Sequence, residues 1–250
     1  MRFKGKVAVV TGGARDIGRA VSVKLAAEGA RTVLNYYESE EQAADTVKAI
    51  HATGGEAIAV GGDMTRQEDV DTLVAEAVKA YGDKINILVN VVGGLVARKT
   101  LEEVDLEFFE FVTKLNYTST FMVTKAFVPL MGDGASIVNF ASQAARDGGG
   151  PGAWVYASSK GAIMTMTRGL ARELGPQGIR VNALCPGMIA TTFHDTFTKD
   201  QVRANVAAGT PLRREGVAAE VADAVAYLAS DESSFLTGVN LDINGGLFFS

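Results

Sequence analysis

Seven short apolar runs recur along this chain: VAVVTG (7–12), RTVLNY (31–36), EAIAVGGD (56–63), INILVNV (85–91), ASIVNFAS (135–142), IRVNALCPG (179–187) and VNLDING (239–245). They are continuous where a half-exposed strand would alternate. Continuous apolarity marks strands covered on both faces, as in a parallel sheet. Parallel neighbours cannot be joined by a tight hairpin, so each connection must contain a crossover. The intervening segments supply it. After Asp63, the residues Val70, Leu73, Val74, Ala77, Val78 and Tyr81 keep i, i+3, i+4 spacing, and 17–29, 39–53, 103–131, 154–175 and 218–230 also read as helices. Strand–helix alternation throughout predicts one α/β domain over 1–250, a doubly wound parallel sheet of about seven strands flanked by helices. The segment 188–214 reads as the one long irregular stretch, a substrate loop over the carboxyl edge of the sheet.

Composition narrows the function classes. With 250 residues, 47% of them apolar, the chain can bury a large core. A net charge of −5 argues against a broad nucleic-acid surface. The single cysteine, Cys185, permits no internal disulfide and fits a reducing compartment; it reads as a packed thiol. No segment reaches the ~20 apolar residues of a membrane span. MRFKGKVAVVTGG runs straight into a strand without a cleavage pattern, so a cytoplasmic location is expected, with no membrane partner.

Two features carry chemistry. TGGARDIG (Thr11 to Gly18) closes the first apolar run. Gly12 and Gly18 permit a tight strand-to-helix turn and close approach of a pyrophosphate to a helix N-terminus, or they make an ordinary turn. Far downstream, YASSK places Tyr156 and Lys160 at i and i+4, on one helix face. A permanent ammonium beside a phenol lowers the phenol's pKa from its resting value near ~10, which yields a proton donor usable near neutrality. Ser142 can hold a substrate oxygen against that phenol. A phosphate cradle and a proton-transfer group together point to hydride transfer to or from a carbonyl. Asp63 either accepts from an adenine amino group or caps the following helix. Gly93–Gly94 allows close backbone approach to a ligand, or is merely a loop.

In the order of these parts the chain resembles the classical short-chain dehydrogenase/reductase family over its whole length. TGGARDIG stands for that family's TGxxxGxG, Asn90–Gly93 for its NNAG, and Asp63 for its adenine-contacting acid. Asn116 matches the helical asparagine, Ser142, Tyr156 and Lys160 the catalytic serine and YxxxK, and Pro186-Gly187, Ile189 and Thr191 the PGxxxT segment. The resemblance implies a Rossmann-like fold and an NAD(P)-dependent oxidoreductase acting on CH–OH/C=O groups. It implies Tyr156 as general acid or base, Ser142 orienting the oxygen, and Lys160 tuning the phenol and contacting ribose. Asn116 is then expected to kink its helix and hold a relay water. The implied cofactor contacts are Gly12, Arg15, Asp16, Ile17, Gly18, Tyr36, Asp63, Met64, Asn90, Gly93, Tyr156, Lys160, Pro186, Gly187, Ile189 and Thr191. No metal is implied, and a homotetramer is the family's usual assembly, with 154–175 and the apolar end Gly245–Phe249 as its faces.

Three departures from the family pattern carry expectations of their own. Asp16 replaces the middle glycine and is expected to cap the helix it opens. The NNAG segment reads Asn90-Val91-Val92-Gly93. The interval from Ser142 to Tyr156 is one residue longer than in many members, and the glycine run 147–152 is expected to absorb it. The second strand ends Asn35-Tyr36-Tyr37, with no acid before Glu38, so NADP(H) is favoured and NAD(H) possible. Arg15 either meets the 2′-phosphate or faces solvent. The pocket is expected to include Gly94, Leu95, Val96, Arg146, Trp154, Met188 and His194. Arg146 either meets a carboxylate or pairs with Asp147, and His194 either bonds a polar substrate or faces solvent. Arg98 and Lys99 add charge at the rim or solvate a loop. The expected substrate is a small polar carbonyl, sugar- or sugar-acid-derived. The alternatives are 3-oxoacyl-carrier-protein reduction and a catalytically silent cofactor-binding regulator.

Overall fold

The computed structural model describes residues 1–249. In chain order the elements are β1 (Val7–Thr11), α1 (Asp16–Ala27), β2 (Arg31–Tyr36), α2 (Glu40–Ala52), β3 (Glu56–Gly61), α3 (Gln67–Tyr81), β4 (Ile87–Asn90), α4 (Leu106–Thr113), α5 (Ser119–Phe127), β5 (Ser136–Phe140), α6 (Ala144–Asp147) and α7 (Trp154–Leu174). They continue with β6 (Arg180–Pro186), β7 (Ile189–Ala190), α8 (Thr192–Phe197), α9 (Asp200–Gly209), β8 (Gly216–Val217), α10 (Ala218–Ala229) and β9 (Asn240–Ile243). All seven apolar runs form the main sheet, in the order β3-β2-β1-β4-β5-β6-β9, with every pairing parallel. The chain winds from β1 to one edge, returns to β4 beside β1, and winds to the other. No helix among the described residues is long and apolar enough to cross a membrane.

Strand residues sort by parity, because successive side chains point to opposite faces. Val7 and Val9 join a core with Leu73 of α3 and Phe127 of α5, whereas Ala8 and Val10 join one with Leu25 of α1 and Val225 of α10. Burial on both faces is therefore literal for β1, β4 and β5. The two edge strands are the exceptions: β3 mixes exposed and buried positions, and β9 is half-buried throughout.

The structure corrects the expectation for 188–214. Instead of one irregular loop, this stretch contains β7, α8 and α9, and β7 pairs with β8 just beyond it. These elements are too short to leave a clear periodicity. The helix read over 103–131 also divides. A π-turn at Lys114–Thr118 separates α4 from α5, and Asn116 lies inside it.

Each of four core strands carries one buried asparagine: Asn35, Asn90, Asn139 and Asn182. Asn35 braces the turn after β1. Its Oδ1 accepts from the Gly12 amide at 3.2 Å, and its Nδ2 donates to the carbonyls of Gly62 (2.9 Å) and Val60 (3.3 Å). Removing that amide would strand buried backbone groups, at about 1–3 kcal/mol. We expect Asn35→Ala to lower the melting temperature by about 4–8 °C. Calorimetry checks this, and an unchanged melting point would refute the brace.

Candidate active site

All strands end on one edge of the sheet, and the crossover between β1 and β4 opens there. Ligands bind at this point in open α/β sheets. The turn after β1 is closed by glycine. Gly12 has φ +62°, and a Cβ on Gly18 would overlap the Gly12 carbonyl oxygen. No side chain caps the N-terminus of α1, leaving its first amides free for an anion. These features fit a dinucleotide pyrophosphate.

Thr11, which sequence reasoning passed over, joins this turn to the end of β4. Its Oγ1 accepts from the amides of Val91 (3.1 Å) and Val92 (3.4 Å). Asn90 does not face a ligand with its amide nitrogen. Nδ2 donates to Asn139 Oδ1 (2.9 Å) and Thr124 Oγ1 (3.0 Å), and Asn139 Nδ2 donates to Thr167 Oγ1 (3.0 Å). This buried chain of bonds ties β4 and β5 to α5 and α7. A polar residue inside an apolar run was the signal for it.

Asn116 pairs with the Gly94 peptide. Its Oδ1 accepts from the Gly94 amide (3.0 Å), and its Nδ2 donates to the carbonyls of Gly94 (2.9 Å) and Val112 (2.9 Å). The π-turn presents the side chain this way, as π-bulges at functional sites commonly do. Gly93 lies against both Asn116 and Lys160. A Cβ there would come within 2.5 Å of Asn116 Oδ1 and 2.8 Å of Lys160 Nζ.

Lys160 is 3% exposed, and its Nζ donates to the Phe140 carbonyl at 2.8 Å. Nζ stands 5.8 Å from the Tyr156 ring centroid. Burial lowers the Lys160 pKa to about 7. Burial also raises the Tyr156 phenol, while the Ser142 hydroxyl beside it works in the opposite direction. This corrects the expectation of a permanent ammonium that depresses the phenol. In the closed site Lys160 titrates near neutrality, because desolvation outweighs its single carbonyl partner. The glycine run between Ser142 and Tyr156 has positive φ at Gly148, Gly149, Gly150 and Gly152, which accommodates the longer interval.

Other candidates fall in different places. Arg146 does not pair with Asp147. Its Nε donates to Asp242 at 3.2 Å and its Nη2 to the Asn240 carbonyl at 2.9 Å, so β9 occupies the guanidinium. Trp154 lies against α4, 6.2 Å from the Phe109 ring centroid. His194 is half-buried rather than solvent-facing; its Nδ1 lies 3.0 Å from Thr198 Oγ1, and burial lowers its pKa. Phe193 was not anticipated, yet its ring centroid is 6.1 Å from that of Tyr156. Arg15 is exposed, and its Nη1 donates to Thr192 Oγ1 at 3.0 Å. Asp16 does not cap α1; its carboxylate accepts from Thr192 instead. Asp63 Oδ1 accepts from the Thr65 amide at 2.8 Å, a local turn before α3.

The remaining cofactor candidates line the same edge or support it. Met64 is buried in the core that holds Leu73 and Phe127, and Ile17 packs from α1 against the core on the opposite face. The Tyr36 ring lies against Gly61. The Pro186 carbonyl accepts from the Gln143 amide (2.9 Å), and the Gly187 amide donates to Ile243 (3.0 Å). Ile189 is buried, and Thr191 Oγ1 donates to its carbonyl at 3.1 Å.

Comparison with known proteins agrees with this fold. A family model described as Enoyl-(Acyl carrier protein) reductase matches residues 12–248. An uncharacterized oxidoreductase of Methylorubrum extorquens is 37% identical, covering 98% of this chain and 99% of its own length. A short-chain dehydrogenase/reductase from Serratia marcescens superposes with TM-score 0.93 at 33% identity over 99% of both chains. A blue fluorescent protein from a metagenomic library, solved in complex with NADPH, gives TM-score 0.93 at 34% identity over the whole of both chains.

The Lys160 pKa has a thermodynamic consequence. Between about 7 in the fold and 10.5 in the open chain, the unfolded state holds one more proton, so stability rises with pH across that window. Below about 7 both states are protonated and this contribution is constant. We expect the melting temperature of the cofactor-free protein to climb by about 3–5 °C per pH unit from this group alone. Lys160→Met should flatten that climb. Identical pH profiles for the two proteins would refute the assignment.

Proposed function

Since this chain belongs to the classical short-chain dehydrogenase/reductase family and is an NAD(P)-dependent oxidoreductase, we propose that it reduces a small ketone or aldehyde, with Tyr156 as general acid. The observation that carries this reading is the convergence of Ser142, Tyr156, Lys160 and Asn116 beside the Gly12–Gly18 turn. When bound, the nicotinamide supplies or accepts the hydride. As negative charge grows on the substrate oxygen, the Tyr156 hydroxyl gives up its proton to it. The Ser142 hydroxyl bonds the same oxygen and holds it in line. Lys160, half-protonated near neutrality, replaces the Tyr156 proton from within the site and offers donors to a ribose. Asn116 holds the Gly94 peptide, and with it the Gly93 backbone, against Lys160.

NADP(H) is the favoured cofactor. β2 ends without an acid for a ribose 2′-hydroxyl, Arg15 is exposed beside the turn, and the metagenomic relative was solved with NADPH. The substrate is best described as a small polar carbonyl, sugar- or sugar-acid-derived. With Arg146 committed to Asp242, the group proposed for a substrate carboxylate is Arg98, by way of its Nη2. Its guanidinium is held by backbone carbonyls of Phe197 (3.3 Å), Pro151 (3.0 Å) and Gly149 (3.4 Å), at the meeting of α8 with the glycine run. The matched family description keeps acyl-carrier-protein substrates as the alternative. A homotetramer fits the exposed Leu106, Phe111 and Phe121 of α4 and α5, which water leaves costly. Phe249 at the apolar end is likewise exposed.

Tyr156→Phe should cut kcat by at least about 10²-fold while dinucleotide binding persists. Activity within tenfold of the parent would remove Tyr156 from the role. Arg15→Ala should raise KM for NADPH by about tenfold and spare NADH; an unchanged ratio would shift recognition to Tyr36, Tyr37 and Glu38. A panel of sugar carbonyls, keto acids and acetoacetyl thioesters decides the substrate class. Turnover of the thioesters alone would reject the sugar reading.

A further inference from the structure

Residue 16 stands in the phosphate-loop turn at φ +50°, a left-handed conformation that an L-residue adopts at a steric cost. The carboxylate held in that position is used far along the chain. Asp16 Oδ1 accepts from the Thr192 amide at 3.1 Å, and Oδ2 accepts from the Thr192 hydroxyl at 2.5 Å. Arg15 Nη1 donates to the same hydroxyl oxygen and lies 3.6 Å from Asp16 Oδ2. Thr192 is the first residue of α8, whose flanking Thr191 makes no side-chain cap. Asp16 thus takes the capping duty for α8 from across the cleft.

The other end of α8 is also held. Asp195 accepts from Arg203 Nη1 at 2.5 Å, and Arg203 makes a two-point bond to Glu215 at 2.8 and 2.7 Å. A helix this short does not persist alone in water. Its order depends on these two attachments and on Arg98, whose Nε donates to the Phe197 carbonyl. Between them lies Phe193, which packs towards Tyr156. The Asp16 contact is the attachment that touches the phosphate loop.

We propose that Asp16 is a positioning residue that latches α8 to the phosphate loop, coupling closure of the substrate pocket to retention of the dinucleotide. The coupling rests on the reading of Gly12–Gly18 as a phosphate cradle; the latch itself does not. An unlatched α8 leaves Phe193 free to move away from Tyr156 and opens the exit for a bound dinucleotide. Substrate KM and cofactor release then respond together.

The test exploits opposing effects. Asp16→Gly relieves the left-handed backbone while deleting the latch, so global stability should hold or rise as α8 loosens. Hydrogen exchange of the 192–197 amides in the cofactor-free protein should speed by about tenfold or more, the scale of one charged hydrogen bond. NADPH should dissociate faster by a similar factor, with substrate KM raised more than kcat is lowered. Asp16→Asn tolerates the backbone and still accepts from the Thr192 amide, so it should restore much of the protection. Thr192→Val should loosen α8 in part, and Thr192→Ser should not. The double variant Asp16→Gly/Thr192→Val should be looser than Asp16→Gly by no more than the Arg15–Thr192 bond, well short of the sum of the two single effects, because both variants remove the Asp16–Thr192 hydroxyl bond. Unchanged exchange over α8 in Asp16→Gly, or independent addition of the two effects, would overturn the latch. Faster exchange with an unaltered NADPH dissociation rate would overturn the coupling. A parent protein that binds no dinucleotide would instead refute the phosphate-cradle reading, with the exchange result still deciding the latch.

Discussion

Every strand of the main sheet points the same way, and the rest of the molecule follows from that. Parallel strands expose no hairpin ends, so all seven carboxyl ends collect on one edge. Helices must cover both faces, which leaves that edge as the place where backbone is free to meet a ligand. The winding reverses between β1 and β4, and their connections part to opposite sides. The Thr11–Gly18 turn and the Asn90–Gly94 segment therefore face each other across a cleft, bridged at its base by the Thr11 hydroxyl.

Polar bonds inside the apolar core fix the angle at which α7 presents Tyr156 and Lys160. Asn90, Asn139, Thr124 and Thr167 form a chain in which each buried amide nitrogen has a partner. Apolar packing alone is tolerant of small shifts, whereas an unmade buried hydrogen bond is costly. A sliding α7 would break the bond to Thr167. The helix is held in register, and Lys160 and Tyr156 with it. The same enclosure that orients Lys160 strips its water, which is why its charge becomes sensitive to pH near neutrality. Position and electrostatics are two results of one burial.

The segment that carries α8 and α9 is built differently. α8 and α9 have no fully buried apolar side chains of their own. They are held by ionic and hydrogen-bonded attachments: Arg203 to Asp195 and Glu215, Asp16 to Thr192, and Arg98 to Phe197. Such attachments can break singly without exposing a core. A rigid sheet beside a segment fastened only at points is an arrangement compatible with an enzyme that must admit and release two molecules.

The seven strands and their helices were legible in the chain because burial on both faces leaves a continuous apolar signature that needs no partner to be read. RTVLNY coincides with β2 to the residue. The glycine turn, Ser142, Tyr156, Lys160 and Asn116 could be picked out as candidates too, since they stand out by residue type and local spacing. What the chain did not disclose depends on contacts between distant segments. Arg146 looked free until β9 supplied Asp242. Asp16 looked like a local cap until the fold brought Thr192 to it. Lys160 looked permanently charged until the sheet, α7 and Gly93 closed around it. Local pattern determined the scaffold and the identity of the candidate site residues. Their partners and proton affinities were decided only by tertiary structure, because desolvation and long-range pairing do not exist before the chain folds.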